Sequence, residues 1–251
     1  MEWQDQAIII SKQIQGNSSL IIKVISYNHG IYKGMIKGAK NHKNNHVYEI
    51  GNLISCKWRA RTDDHLGYIK VEEDINFSSY VMYNKSKLYS LLSIAQILDV
   101  VLPERVICME IYKGLYDLLY AMYNNNDYWK KLYLIMEFNL LSYLGFGLDL
   151  MKCTVTNSKS DLAYISPKSG KAVSSKAGYD YRDKLIPINN FLLNYAKSNN
   201  IDHELSLLDL YNGLNITRFF LKKFVFSEFI HKFPAIRNKL NESFELKKEE
   251  I

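Results

Sequence analysis

Two periodicities divide the chain. Up to about Phe77, short β-branched runs alternate with turn residues, and five strands are predicted: Ala7–Ile14, Leu20–Tyr27, Ile31–Gly38, Leu53–Arg61 and Gly67–Ile75. The breaks are GNSS, NHG, NHKNNH and TDDHLG, all rich in residues that tolerate turns. Five short strands in so short a segment suit a small barrel, because closure removes exposed edges. From about Asn84 the spacing changes. SKLYSLLSIAQILDVVL, ERVICMEIYKGLYDLLYAMY and DYWKKLYLIMEFNLLSYLGFG repeat apolar residues every three or four positions, the mark of amphipathic helices. Pro103 separates the first two, NNND the next, and Gly145 and Gly147 end the third. The stretch from Asp149 to Pro187 is polar and irregular, and two more helices are expected near Asn189–Ser198 and Leu205–Phe233. The chain therefore reads as α+β, with a barrel domain at 1–79 and a helical domain at 80–251 that carries an insertion at about 149–187.

The fourth strand is the most informative. In LISCKWRAR, Ile54, Cys56, Trp58 and Ala60 alternate with Ser55, Lys57, Arg59 and Arg61, which predicts one core face and one cationic stripe. A tight TDDHLG turn would set Arg59 near Lys70 and Lys57 near Glu72. Like charges directly opposite destabilise a sheet, so that pairing points to an absent anion.

Charge sharpens this picture. The 251 residues carry a formal net charge of +6, unevenly spread. Between Gln6 and Thr62 lie nine basic residues and one acid, Glu49, whereas from Val81 onward 22 basic residues face 18 acidic ones. The positive field sits on the N-terminal quarter and favours polyanionic partners. Lys33 and Lys37 lie on the third strand, and Lys40 and Lys43 continue into the loop with Gly34 and Gly38 nearby. Lysines there can meet phosphates, and glycines let a backbone approach nucleic acid closely. A solvated strand with a hydrophilic loop would have the same spacing, so residue pattern alone leaves both readings open. Tyr27 and Tyr32 are candidate stacking platforms, whereas Trp58 falls on the core face.

Catalytic chemistry is scarce. GxxxxGK[ST], GxSxG and HExxH are missing from the sequence, as is a carboxylate set at metal spacing, which disfavours a nuclease or helicase. His29, His42, His46 and His65 fall in predicted turns. Cys56, Cys108 and Cys153 are far apart with no signal peptide ahead of them, which fits reduced thiols in a cytoplasmic protein, and no apolar run approaches a membrane span. On the last long helix, Phe219, Phe220, Phe224, Phe226 and Phe229 crowd beside Arg218, Lys222 and Lys223. Core packing is the default for such a run; a groove for a hydrophobic, acidic tail is the sharper alternative. The charged end LKKEEI reads as a fraying tail.

The opening MEWQDQAIIISKQIQGNSSLIIKVISYNHGIYKGMIKGAK, with GNLISCKWRARTDDHLGYIKVE, LLSYLGFGLDLMKC and DLAYISPKSGKAVS, closely resembles the bacterial DNA repair protein RecO family over most of the chain. The resemblance implies an N-terminal OB-fold barrel followed by a helical domain. It also implies a non-enzymatic recombination mediator of the RecF pathway, cytoplasmic and nucleoid-associated. Such proteins bind single- and double-stranded DNA, anneal complementary strands, and with RecR load RecA onto strands coated by SSB, whose acidic C-terminal tail docks on the helical domain. On that basis Lys33, Lys37, Lys40, Lys43, Lys57, Arg59 and Arg61 are the expected DNA contacts, and Arg218, Lys222 and Lys223 the expected tail contacts. An adaptor that docks SSB and RecR while binding DNA weakly by itself is the competing reading. In one respect the chain departs from the resemblance. Many family members carry a zinc module of two C-x-x-C pairs in the insertion, but here Cys153 stands alone, Thr156 holds the partner position and ISPKSGKAVS has no cysteine. One thiolate cannot assemble a tetrahedral site, so neither zinc nor another cofactor is expected.

Overall fold

The computed structural model describes residues 1–39, 45–62, 65–227 and 232–244. The chain forms two compact units, one of Met1–Trp129 with Pro234–Leu240, the other of Lys130–Phe233 with Asn241–Ile251.

In the first unit β1 (Glu2–Gln15), β2 (Ser19–Ser26), β3 (Gly30–Ile36), β4 (Leu53–Arg59) and β5 (Gly67–Ile75) close into a barrel in the order β1-β2-β3-β5-β4. This is OB-fold topology. β1 starts five residues earlier than its β-branched run indicates, because Glu2 to Ile8 pair with β4 while Ala7 to Gln15 pair with β2. One strand thus serves two neighbours, with a register irregularity between Ile9 and Ser11 where the sharing changes over. Ala7 to Ile10 are all buried: Ala7 and Ile9 enter the barrel core, and the far side of β1 packs on a helix.

Closure depends on two glycines. β3 meets β5 through the parallel pair Gly34↔Gly67. A Cβ on Gly34 would lie 2.4 Å from Ile69 Cγ1, and one on Gly67 only 2.2 Å from Trp58 Nε1. Gly34 is therefore buried and occupied in closing the barrel, which corrects the expectation that it lets the backbone approach nucleic acid. Trp58 is 1% exposed, as the alternation in LISCKWRAR requires, and its indole N–H donates to the Lys33 carbonyl at 2.9 Å.

Three helices follow in the same unit: α1 (Phe77–Val81), α2 (Lys85–Val101) and α3 (Met109–Tyr123). Asn84 caps α2 by accepting from the Lys87 N–H, so the change of period at Asn84 marks a true helix start. The expected second helix begins five residues late. Arg105 donates its N–H to the Ile31 carbonyl at 2.7 Å, so the segment before Cys108 lies along β3 instead of coiling.

The second unit contains most of α4 (Trp129–Tyr143), then a small sheet ordered β7-β6-β8 from β6 (Leu162–Ile165), β7 (Ala172–Ser174) and β8 (Ile186–Pro187). The insertion is thus a folded three-stranded sheet with a short helical turn, α5 (Ser175–Gly178), and corrects its reading as irregular loop. α6 (Asn190–Ser198) and α7 (Leu207–Phe220) follow, capped by Asn189 and Ser206. α7 ends thirteen residues before the expected Phe233, passing into a π-helical turn at Leu221–Val225. The short α8 (Ile236–Ser243), which the apolar spacing does not announce, begins just after Pro234. Residues 228–231 and the LKKEEI tail lie outside the described residues. Among the described residues no helix is long and apolar enough to cross a membrane.

Candidate nucleic-acid interface

The outer face of β1, β4 and β5 is built in rows. Across the ladder Glu2 stands opposite Arg59, and Arg59 opposite Tyr68. In the next row Gln4 faces Lys57 and Lys57 faces Lys70, and in the third Gln6 faces Ser55 and Ser55 faces Glu72. The register is two residues away from the one a tight TDDHLG turn would give, so the like-charged pair is Lys57 with Lys70. The link between β4 and β5 is longer than a two-residue turn, and β5 begins only at Gly67.

An acid the charge count left out sits on this face. Glu2 pairs with Lys57, and its Oε2 lies 3.8 Å from Arg59 Nε. The hydrogen bond from Lys57, with the charges of Lys57 and Arg59 and against partial desolvation, holds the Glu2 carboxyl below its ordinary range. Lys33 pairs with Glu104 at 2.8 Å. Part of the anion that the clustered cations call for is therefore internal.

The remaining expected contacts differ in kind. Arg59 keeps 78% of its side chain exposed despite Glu2. Lys37, Arg61 and Lys70 are exposed and form no ion pair among the described residues. Lys40 and Lys43 lie outside the described residues, as does His42. Lys37 places its ammonium 4.6 Å from the centre of the Tyr68 ring, which is 50% exposed. Tyr68 thus offers an aromatic face with Lys37 over it and Arg59 opposite, a pairing suited to a nucleobase next to its phosphates. Tyr68 is the candidate that sequence reading missed, although the alternation in GYIKVE puts it on one face with Lys70, whose place beside the cationic stripe was anticipated but with Arg59 as its partner. The two tyrosines singled out for stacking are half-buried and each packs against other aromatic rings. Tyr27 packs edge-on to Tyr112 at 5.3 Å, and Tyr32 edge-on to Trp3 and Trp58 at 4.9 and 5.0 Å.

In the second unit Arg218 and Phe219 border a cleft of about 390 Å³ with Ile186, Pro187, Ile188 and Ile216. Phe219 is 38% exposed and Phe224 half-buried, whereas Phe220 and Phe226 are buried, so the described part of the aromatic run is divided between core and surface. Lys223 donates to the Pro167 carbonyl at 2.7 Å and lies over Phe219 and Phe224, and does not itself line the cleft. Lys222 is exposed and does not line the cleft. Phe229 lies outside the described residues.

A closed OB barrel with a partly neutralised cationic outer face defines a fold class that many nucleic-acid-binding proteins share. Comparison with known proteins is more specific. The family model "Recombination protein O N terminal" matches residues 1–77, and "Recombination protein O C terminal" matches residues 83–224. The DNA repair protein RecO of Wolbachia sp. subsp. Drosophila simulans (strain wRi) is 37% identical over 238 residues, covering 95% of this chain and 98% of the relative. The DNA repair protein RecO of Bartonella quintana (strain Toulouse) is 34% identical over 248 residues, 98% of each. That of Rickettsia typhi (strain ATCC VR-144 / Wilmington) is 34% identical over 226 residues, 90% of this chain and 92% of the relative. The chain belongs to the RecO family, which places it in DNA repair and recombination.

Proposed function

We propose that the protein is a non-enzymatic recombination mediator whose barrel, residues 1–79, binds single- and double-stranded DNA through its cationic outer face. The row Lys57–Lys70 beside Arg59 and Tyr68 carries this reading, because two lysines set opposite each other favour an anion between them. In this reading Lys33, Lys37, Lys40, Lys43, Lys57, Arg59 and Arg61 contact phosphates, with little preference for sequence. The protein anneals complementary strands and, with RecR, promotes RecA loading on SSB-coated strands in the cytoplasm. The helical part, 80–251, takes the SSB tail. Its support is the apolar cleft edged by Arg218, which suits an acidic, hydrophobic peptide. Replacing Arg218 by Glu then abolishes binding of a tail peptide, and unchanged binding by that variant removes the assignment.

A salt titration of single-stranded DNA binding tests the barrel. Affinity falls linearly on a log–log plot, with a slope near −0.7 per phosphate contact. Lys57→Ala or Arg59→Ala weakens binding to all sequences alike and flattens the slope by somewhat under one unit. Folding survives, since truncating exposed strand positions costs under about 0.5 kcal/mol. Unchanged affinity and slope in a variant carrying both Lys57→Ala and Arg59→Ala overturn the barrel reading. The adaptor reading draws on the Glu2–Lys57 and Glu104–Lys33 pairs, which leave less charge for DNA. It expects DNA affinity to appear only when RecR is added.

A further inference from the structure

The acidic end of the same barrel faces a pocket that the cationic face does not explain. On β4, Ser55 and Arg59 lie four residues apart, about 13 Å along the strand. The outer surface changes sign over that distance, from Arg59 and Lys57 to Glu72 and Asp74. Beside Asp74 a pocket of about 480 Å³ opens between the barrel and α3, walled by Tyr27, Tyr112 and Tyr116 with Asp117 and Lys113 at its margin. It lies wholly within the unit containing Met1–Trp129.

Three observations give the pocket a chemistry. Asp74 accepts from Gln6 Nε2 at 3.1 Å and from Ser55 Oγ at 2.9 and 3.0 Å, so neutral donors orient its carboxylate and leave the charge uncompensated. Asp117 is exposed and forms no ion pair among the described residues, not even with Lys113 one helical turn earlier. Tyr112 is only 5% exposed, has no side-chain hydrogen bond among the described residues, and lines the pocket. A phenol at a pocket wall with no protein partner can accept a donor brought in from outside. Burial first, then the charges of Asp5 and Asp74, push the Tyr112 phenol up, so the local field is one that attracts cations.

We propose that this pocket receives an arginine side chain presented by a partner protein, its guanidinium lying on the tyrosine rings between Asp74 and Asp117. A planar guanidinium stacks on aromatic faces and donates along a fixed fork to carboxylates, which a lysine ammonium does not. Nucleic acid is disfavoured, because Glu72, Asp74 and Asp117 repel phosphate. The proposal does not depend on DNA binding at the opposite end of the barrel.

The test uses the full chain and three probes followed by NMR: N-acetyl-arginine amide, N-acetyl-lysine amide and the uncharged isostere N-acetyl-citrulline amide. The arginine probe shifts the resonances of Tyr112, Tyr116 and Asp117 saturably, with a Kd on the order of millimolar, as befits a single side chain. The lysine probe binds about tenfold more weakly, and citrulline does not saturate. Asp117→Asn, at an exposed helix position, weakens the arginine probe about tenfold and leaves the unfolding midpoint unchanged. Asp74→Asn does the same if it folds, and Asp117→Asn decides alone if it does not. Equal binding of arginine and citrulline, shifts confined to other residues, or an oligothymidylate that shifts these residues while arginine does not would each overturn the proposal.

Discussion

The barrel and the insertion each hold a small sheet, by different means. In the barrel the ladder closes on itself and the core is aromatic and aliphatic, with Trp58, Ile9, Ile22, Val24 and Ile54 fully buried. In the insertion the strands are four, three and two residues long and cannot close. They are tied by backbone contacts to the segment around Cys153. Asp149 and Gly170 to Ala172 exchange N–H···O bonds at 2.8 and 3.1 Å, and Thr154 N–H donates to the Ala172 carbonyl at 2.8 Å. At the centre is the fully buried Cys153 thiol, whose Sγ accepts N–H groups from Ser174 at 3.2 Å and Thr156 at 3.4 Å. Two backbone donors thus converge on one sulfur where a zinc module would supply three more thiolates. A sheet too small to bury much apolar surface can be held around a single acceptor that satisfies its orphaned N–H groups.

The largest effect that sharpens this contrast lies in the barrel. Trp58→Ala removes an indole in contact with Gly67, Tyr32 and Trp3. It also leaves the Lys33 carbonyl without its donor. Stability falls by about 3–5 kcal/mol in denaturant unfolding. A loss below about 1 kcal/mol would show that the barrel is not held by this core.

That burial was readable from LISCKWRAR because strand alternation depends only on neighbours in sequence. The start of β5 at Gly67 was equally visible, since a glycine followed by alternating residues marks a strand entry. The register between β4 and β5 was not, because it depends on the path of the intervening chain. Nor was the role of Gly34, whose partners Gly67 and Ile69 are more than thirty residues away. Glu2 escaped notice because its strand was expected to start at Ala7, so its place beside Lys57 exists only once β1 pairs with β4. In the insertion almost nothing was legible beyond the lone cysteine. Strands of two to four residues give no measurable period, and the groups that satisfy Cys153 are backbone amides, which every sequence has.

A smaller effect is expected at Cys153. Cys153→Ala leaves the Ser174 and Thr156 N–H groups without an acceptor and costs about 1–3 kcal/mol. The dependence on pH has a definite sign. Burial pushes the Cys153 thiol up, but the hydrogen bonds from Ser174 and Thr156 outweigh it and pull the group down to about 6, against an ordinary value of 9.0. A group depressed on folding stabilises the folded state fully above its unfolded value and loses that stabilisation as pH falls through the folded one. Wild-type stability relative to Cys153→Ala therefore rises between pH 6 and pH 9. A difference that is flat or falling with pH over that window would mean that the thiol stays protonated and that burial dominates.

The smallest expected effect is that of removing metal. Among the described residues no group of three or more histidine, cysteine, aspartate or glutamate side chains could hold an ion. Cys56 and Cys108 are buried, and burial pushes them up to about 12 and about 11, so neither offers a thiolate at neutral pH. A structural zinc contributes folding free energy directly, so its removal from a protein that used one would lower the unfolding midpoint by many degrees. Here the purified protein should contain well under one equivalent of zinc, and excess chelator should leave the thermal midpoint and the pH dependence of the Cys153 contribution unchanged. Stoichiometric zinc surviving dialysis, or a midpoint lowered by chelator, would show that the insertion is held by an ion and that the contrast with the barrel is wrong.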